Sequence, residues 1–548
     1  MAGLARWLEA RLSGLGRGGA AALLIVVSLA MFLPGFATMP PLDRDEPRFA
    51  QASRQMLDTG DFVDPRFRDD PRHKKPVGIY WLQSAAVAAT GATEGAALWR
   101  YRLPSLLAAV AAVLMTARIA ADFAGPRAGL AAGLMFAGVF SLGMEARIAK
   151  TDAVLLLTVV VAQWVLARLW RAAREPGAAV ALPLPLVLAF WLAVAAGILV
   201  KGPVGVMVTG LAALVLALGL RRAGWLGALR PGLGLVLVAA LVLPWYVAIT
   251  IRSDGGFWAA SLGQDMLAKV AAGQENHGAP PGTYLAVMWL TFFPAAAALA
   301  LVLPAIWRAR RSAAVVFAAA WAIPAWLVFE ATLTKLTHYV LPLYPALVLA
   351  VALVWDEAVA APRRLWHWLA FGAVTLLPVA ALAAIGAYAA TLGPVPWAPL
   401  ALGLAAIGLG AALTRQALTG GLALAAAAGL AVMGWGFAAG LVRGVTAVQA
   451  VWPAPRIVAA AVGPDCPAPT IRNDGFDEPS LTFLSPGPVR PLGADDPVAA
   501  LAEPCARVLL PTSASGPMTQ AGARPLARIT GLSLGSGKSL DLTLWAAP

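Results

Sequence analysis

The chain has 548 residues, 60% of them hydrophobic and only 13% charged, with a mean hydropathy of +0.75. Soluble domains carry roughly 25% charged and 45–50% apolar residues, so this composition excludes a soluble globular protein and implies a surface that faces lipid. The formal charge of +13 is spread over short loops between apolar runs rather than gathered on one soluble face, which argues against a nucleic-acid surface.

A spanning helix needs about 20 mostly apolar residues. Thirteen runs qualify, near 20–38, 98–121, 128–145, 152–170, 184–200, 203–220, 231–252, 284–303, 313–331, 338–355, 366–391, 396–414 and 419–441. The first has no small-residue cleavage site after it and reads as an uncleaved helix. Val77 to Gly91 is shorter and lies between charged stretches, so it reads as a helix along the outer interface. With that assignment, Arg6, Arg11 and Arg17 share the cytoplasmic side with five basic loops, at 118–127, 168–174, 221–230, 308–311 and 363–364, and with Arg415. This follows the positive-inside rule. The expected fold is an all-α polytopic membrane protein of about 13 transmembrane helices, with the N-terminus cytoplasmic and the C-terminus outside.

Five polar segments then share the outer side: 39–76, 146–152, Lys201, 253–283 and Lys335 to His338. The first outer loop, with its interfacial helices, occupies 39–97. It opens Leu42-Asp43-Arg44-Asp45-Glu46-Pro47-Arg48, and crowded carboxylates repel unless they meet a cation, a metal or a proton donor. An ordinary solvated loop is the competing explanation. The loop closes Arg72-His73-Lys74-Lys75-Pro76, followed by Gly78-Ile79-Tyr80-Trp81, a pattern suited to an anionic headgroup. Attraction to bulk anionic lipid mostly concerns the cytoplasmic leaflet.

Asp152, in Glu145-Ala146-Arg147-Ile148-Ala149-Lys150-Thr151-Asp152, stands where one span ends and the next begins. It can cap that helix, pair with Arg147 or Lys150, or position a substrate. Lys201, in Val200-Lys201-Gly202-Pro203, interrupts two apolar runs with no acid beside it. Ionisable residues near the membrane are functional candidates, although a lysine can also snorkel to the interface. Lys335, in Thr334-Lys335-Leu336-Thr337-His338-Tyr339, is a similar case. In the loop 253–283, His277 follows Glu275. Glu46 and His277 are the candidates for a divalent metal ion, and one acid with one histidine is too few to define such a site.

From Trp452 no spanning run remains. Residues 452–548 read as a small α/β extracytoplasmic domain after a membrane domain of 1–451, with strands at Arg507 to Leu510, Ala527 to Leu534 and Leu540 to Trp545. Cys466 and Cys505 both fall here; in an oxidising compartment they can pair, the alternative being two unpaired small hydrophobes.

Together these pieces resemble one family. Asp43-Arg44-Asp45-Glu46-Pro47-Arg48, the Lys75-Pro76 turn leading to Tyr80-Trp81-Leu82, Ala146-Arg147 through Asp152, Lys201-Gly202-Pro203 and Thr334-Lys335-Leu336-Thr337-His338-Tyr339-Val340-Leu341-Pro342 are similar to motifs of the bacterial aminoarabinose (lipid A) transferases. That group falls with the protein O-mannosyltransferases in the GT-C class of glycosyltransferases. The resemblance covers residues 20–360, and Gly475 to Leu481 looks like the family's C-terminal part.

The resemblance implies an inverting transferase, for a hexose or a pentose. It would take its sugar from an undecaprenyl-phosphate-type carrier to a glycolipid or protein acceptor on the outer face of a bacterial inner membrane. It further implies Asp43 or Asp45 as catalytic carboxylate, Asp152 as a substrate-positioning acid, and Lys75 and Lys201 on the carrier phosphate, with Arg48, Lys335 and His338 as further donor contacts. One departure stands out: the aminoarabinose transferases carry a metal-binding Glu where this chain has Lys74. A secondary transporter, or a scaffold that binds lipid-linked glycans, are the rival classes. No repeated halves support the first, and retention of Asp43, Asp45 and Asp152 speaks against the second.

Overall fold

The computed structural model describes residues 1–91, 97–175, 180–267 and 278–548. Among them, nine helices are long and apolar enough to cross a membrane, or ten if a bent pair forms one span. That pair, α11 (Thr283–Thr291) and α12 (Ala295–Arg308), turns through 115°. Two further apolar helices are shorter, α2 (Arg17–Phe32) and α9 (Val204–Leu220). The predicted runs 98–121 and 128–145 form one element, α5 (Leu98–Ala137), with a break at Ala124 and Gly125 where the backbone leaves helical angles. Its end is trimmed: a turn at Gly138 and Val139 separates it from the short α6 (Phe140–Glu145). The predicted interfacial segment forms the 12-residue α4 (Gly78–Ala89), too short to span.

Small residues set a close helix contact. The helices α16 (Trp397–Thr419) and α17 (Ala423–Ala447) approach so closely that a Cβ on Gly410 would stand 2.6 Å from the carbonyl oxygen of Gly429. In lipid, where apolar burial does not drive association, such close backbone packing holds helices together.

The C-terminal part begins with α18 (Pro453–Ala461) and builds a five-stranded mixed sheet. The order is β4 (Val489–Pro491), β3 (Thr470–Asn473), β5 (Ala506–Pro511), β7 (Ser539–Ala546), β6 (Arg524–Leu532). β3 runs parallel to β4 and β5, and β7 is antiparallel to β5 and β6. Period-two alternation explains both faces. Leu509, Leu542 and Leu544 pack with Ile457 and Leu481, while Val508, Leu510 and Trp545 pack with Met518 on the other face. The three predicted strands fall on β5, β6 and β7; β3 and β4 are short, lie among Pro and Gly, and carried no such signal.

Cys466 and Cys505 are joined, with Cα atoms 5.6 Å apart. The bridge closes a span of 39 residues, so chain entropy gives it about 4 kcal/mol of stabilisation. Reduction should therefore lower the unfolding midpoint of the C-terminal sheet region, followed by limited proteolysis across a temperature series. An unchanged midpoint would remove the bridge from the stability of this region.

Candidate active site

The C-terminal sheet region docks on the 39–76 loop through α19 (Pro479–Leu484). Arg54 lies over the Phe483 ring at 4.3 Å and donates to its carbonyl at 2.9 Å, and Arg68 donates to Thr482 Oγ1 at 2.9 Å. The Ser480 N–H donates to Asp43 Oδ1 at 3.0 Å. The Gly475 to Leu481 motif is thus a docking segment. Burial, with Glu478 nearby, raises the Asp43 carboxyl to about 6 against the pull of Ser480 and Arg48.

Between the two aspartates, Arg44 takes a left-handed backbone (φ 78°). This conformation is uncommon outside glycine and turns the chain sharply. Asp45 consequently meets different partners. Burial pushes its carboxyl up, but Lys150, Arg72, His338 and Lys75 outweigh that and hold it below the usual carboxylate range. Asp45 itself is exposed.

Asp152 is the first residue of α7 (Asp152–Ala173), where the helix dipole favours negative charge. The cap position itself belongs to Thr151, which makes no side-chain capping bond. Asp152 Oδ1 lies 2.5 Å from Lys201 Nζ and 3.7 Å from His338 Nε2, and its Oδ2 lies 3.5 Å from Lys150 Nζ. Lys201 ends α8 (Leu184–Lys201), and Gly202 follows at φ 63°, ψ −139°, a region open essentially to glycine alone. The Lys-Gly-Pro motif therefore stops one helix and starts the next with the lysine at the turn. Its acidic partner lies 49 residues away in sequence.

Lys201 and Lys75 line one cavity of about 440 Å³, together with Lys74, Thr332, Thr334 and Tyr339. The remaining wall is apolar and aromatic, including Leu155, Met207, Tyr246, Phe257, Trp258, Val328 and Phe329. Lys201 Nζ stands 5.2 Å from the Tyr339 ring centre, a cation–π contact. A largely apolar cavity with ammonium groups in its wall suits a lipid bearing an anionic head.

His338 contacts both Lys150 and Asp152, and burial with Lys150 beside it pushes its imidazole down to about 3 although Asp152 pulls the other way. It is therefore neutral at physiological pH. Lys335 is buried and donates to the Thr332 carbonyl, at the end of a helix rather than in the cavity wall. Arg48 acts on Asp43 and is not among the residues of the cavity wall.

The metal candidates need correction. Both oxygens of Glu46 are taken: Arg102 Nε donates at 2.7 Å and Nη2 at 3.0 Å, the Ala149 N–H at 2.8 Å and the Leu42 N–H at 3.0 Å. A carboxylate so saturated has no lone pair left for a metal. His277 lies outside the described residues. Among the described residues no group of three or more His, Cys, Asp or Glu is placed to hold a metal ion. The donor set present does not fit one.

Several residues of this site went unrecognised in the sequence. Arg102 also donates to the carbonyls of Phe36 and Met39, so with Glu46 it ties the end of α2, the acidic loop and the 146–151 connection together. Arg147 donates to the Met31, Pro34 and Gly143 carbonyls and does not pair with Asp152. Arg102 sits in Trp99-Arg100-Tyr101-Arg102, and nothing in that string separates a buried arginine from an interfacial one. Arg102→Ala leaves Glu46 buried and unpaired, which should cost about 3–5 kcal/mol. Thermal melting in detergent checks it, and an unchanged melting temperature would contradict this reading of the pair.

Residues 74–247 match the family described as dolichyl-phosphate-mannose-protein mannosyltransferase. An undecaprenyl phosphate-alpha-4-amino-4-deoxy-L-arabinose arabinosyl transferase of Pseudomonas aeruginosa is 31% identical over 348 residues, 63% of this chain and 60% of that protein. Its Enterobacter counterpart is 25% identical over 344 residues, 61% of this chain and 60% of that protein. The alignments thus span about three fifths of the length of these relatives. In three dimensions, the crystal structure of ArnT from Cupriavidus metallidurans bound to undecaprenyl phosphate matches 97% of this chain and 100% of its own, with a TM-score of 0.76 at 20% identity. Its apo form matches 96% of this chain and 98% of its own, with a TM-score of 0.71 at 19% identity. The chain is a multi-pass membrane protein with the ArnT fold, and over about three fifths of its length it resembles the aminoarabinose transferases in sequence.

Proposed function

We propose that this protein is an integral membrane glycosyltransferase that moves a sugar from a polyprenyl-phosphate donor to a cell-envelope acceptor, a lipid A-like glycolipid or a protein. The observation that carries it is the amphipathic cavity: apolar and aromatic along its length, with Lys75 and Lys201 in its wall and Lys201 paired to Asp152. The names of the relatives, which specify undecaprenyl phosphate-linked aminoarabinose as donor, agree with that chemistry.

In the reaction the bond from the anomeric carbon to the phosphate oxygen breaks and a bond from that carbon to an acceptor oxygen forms. The carrier phosphate leaves with the electron pair, and its charge grows as it does so; a phosphate acceptor attacks as an oxyanion, and a hydroxyl acceptor's proton passes to the departing phosphate. Lys75 and Lys201 stabilise that charge more in the transition state than in the bound substrate. Asp45, held ionised by the cations around it, is poorly matched to proton abstraction at neutral pH, since an effective base has a pKa near the working pH. It serves better as a fixed negative charge facing the positive charge that develops on the sugar. Asp43 has the more suitable pKa, but it faces the outer domain and holds α19 in place.

The site lies on the outer face of a bacterial inner membrane, with thirteen crossings, a cytoplasmic N-terminus and a periplasmic domain at 452–548. Single cysteines placed at Asp70 and Asp496 should react with an impermeant thiol reagent on intact cells, and one at Arg222 should be protected. The reverse pattern would invert this topology. Mass spectrometry of envelope glycolipids and glycoproteins, from cells with and without the protein, tests the activity. The expected result is one sugar modification that depends on the protein; an identical inventory contradicts the proposal.

A further inference from the structure

The ammonium of Lys150 stands among three groups of the kind that gather round a metal ion. Its Nζ lies 3.2 Å from Glu145 Oε1, 3.5 Å from Asp152 Oδ2 and 3.5 Å from His338 Nδ1. The side chains of Glu145, Lys150 and Asp152 are all less than a tenth exposed. Carboxylate oxygens and an imidazole nitrogen are the donor types that divalent cations take; with the ammonium among them, no group of three such described residues is placed to hold one. Here an ammonium fills the middle of that set, and a second cation would have to enter against it in a site shielded from water.

The position of this ammonium is fixed by the backbone beneath it. The connection from Ala146 to Thr151 is held by the Ala149 N–H on Glu46 at 2.8 Å and by Ser105 Oγ on the Lys150 carbonyl at 3.3 Å. Arg147, in the same connection, is anchored on the Met31 and Pro34 carbonyls. A charge held this way needs no reorganisation when the reaction moves charge nearby.

We propose that Lys150 is a built-in cation that takes the place of a divalent metal in this site, and that sugar transfer by this protein is metal-independent. Lys150 is a positioning residue: through its contacts to Glu145 Oε1 and Asp152 Oδ2 it orients both carboxyl groups, so that Asp152 holds Lys201 at the cavity wall. The transfer arm of this inference rests on the glycosyltransferase reading; the metal-binding arm does not.

The test uses the purified full-length protein and Mn²⁺ and Zn²⁺ as probes. Calorimetric titration should show one more divalent site in Lys150→Ala than in the wild type, because removing the ammonium empties the donor set. That site should vanish again in Lys150→Ala combined with Glu145→Gln. Exhaustive chelation should leave wild-type transfer within about twofold of its starting rate, whereas Lys150→Ala should lose roughly 10²-fold or more, the scale seen when a preorganised charge is removed. A Lys150→Ala protein that gains no metal site overturns the proposal. So does wild-type transfer that collapses on chelation and returns with added metal. If Lys150→Ala does not fold, the chelation of the wild type decides alone. Absence of transfer in the wild type under every condition contradicts the glycosyltransferase reading instead, and the metal titration then decides whether Lys150 fills a cation site.

Discussion

Asp45→Asn should lower turnover by roughly 10²–10³-fold while leaving polyprenyl-phosphate binding nearly unchanged, the scale expected when one preorganised electrostatic group is lost. The substitution keeps the shape of the side chain and removes its charge. Asp45 has the cations Lys150, Arg72 and Lys75 acting on it, which hold its carboxyl below the usual carboxylate range, so it is ionised throughout the physiological range. Its absence leaves the developing charge at the sugar without a counter-charge, while Lys75 and Lys201 still receive the phosphate. The expected signature is therefore a fall in kcat with little change in the affinity for undecaprenyl phosphate, measured by single-turnover kinetics and equilibrium binding. Near-normal turnover would move the role to Asp43 or Asp152. Normal turnover in all three Asn variants would defeat the proposed mechanism.

Lys201→Ala should act on both quantities and on stability. The lysine lines the cavity and also forms the shortest contact to Asp152, at 2.5 Å. Removing it withdraws a ground-state contact to the phosphate and a stabiliser of the leaving group, so affinity and kcat should both fall. It also strips Asp152, in a shielded position, of its nearest cation. Breaking a buried pair from one side typically costs about 3–5 kcal/mol; Lys150 remains 3.5 Å from the other carboxylate oxygen, so the loss should fall at the lower end of that range. The double variant with Asp152→Asn separates the two effects. It should recover much of the stability, because no unpaired carboxylate is left, but none of the activity. Recovery of activity along with stability would mean that Lys201 serves the fold alone.

Much of this architecture was legible in the sequence because its signals are local. Apolar runs, the α/β character of the outer part and the polar interruptions at Asp43 to Arg48, Asp152 and Lys201 can each be read within a few residues. What the sequence hid were pairings across the bundle. Asp152 and Lys201 carry no common spacing, and Lys201 reads as a lone lysine until α7 and α8 are packed together. Glu46 belongs by eye with Asp43 and Asp45, yet the turn of α3 (Glu46–Thr59) sends it inward to Arg102, 56 residues away. Asp43 and Asp45 likewise look interchangeable in the string, and only the left-handed turn at Arg44 and the docking of Ser480 tell them apart. Lys150 was visible as a neighbour of Asp152, but its contacts to Glu145 and His338 depend on a loop and a helix end brought together by the fold.

The central claim is that the lysine-lined cavity holds a polyprenyl phosphate from which a sugar is removed. The most direct measurement is the release of undecaprenyl phosphate from undecaprenyl-phosphate-linked sugars by the purified protein in liposomes, with an envelope acceptor extract and the Asp45→Asn variant in parallel. The account predicts that the wild type releases the carrier in step with a sugar-mass gain on an acceptor, and that the variant binds the carrier but releases little. Binding of the carrier by the wild type, with no release from any such sugar supplied, would contradict it.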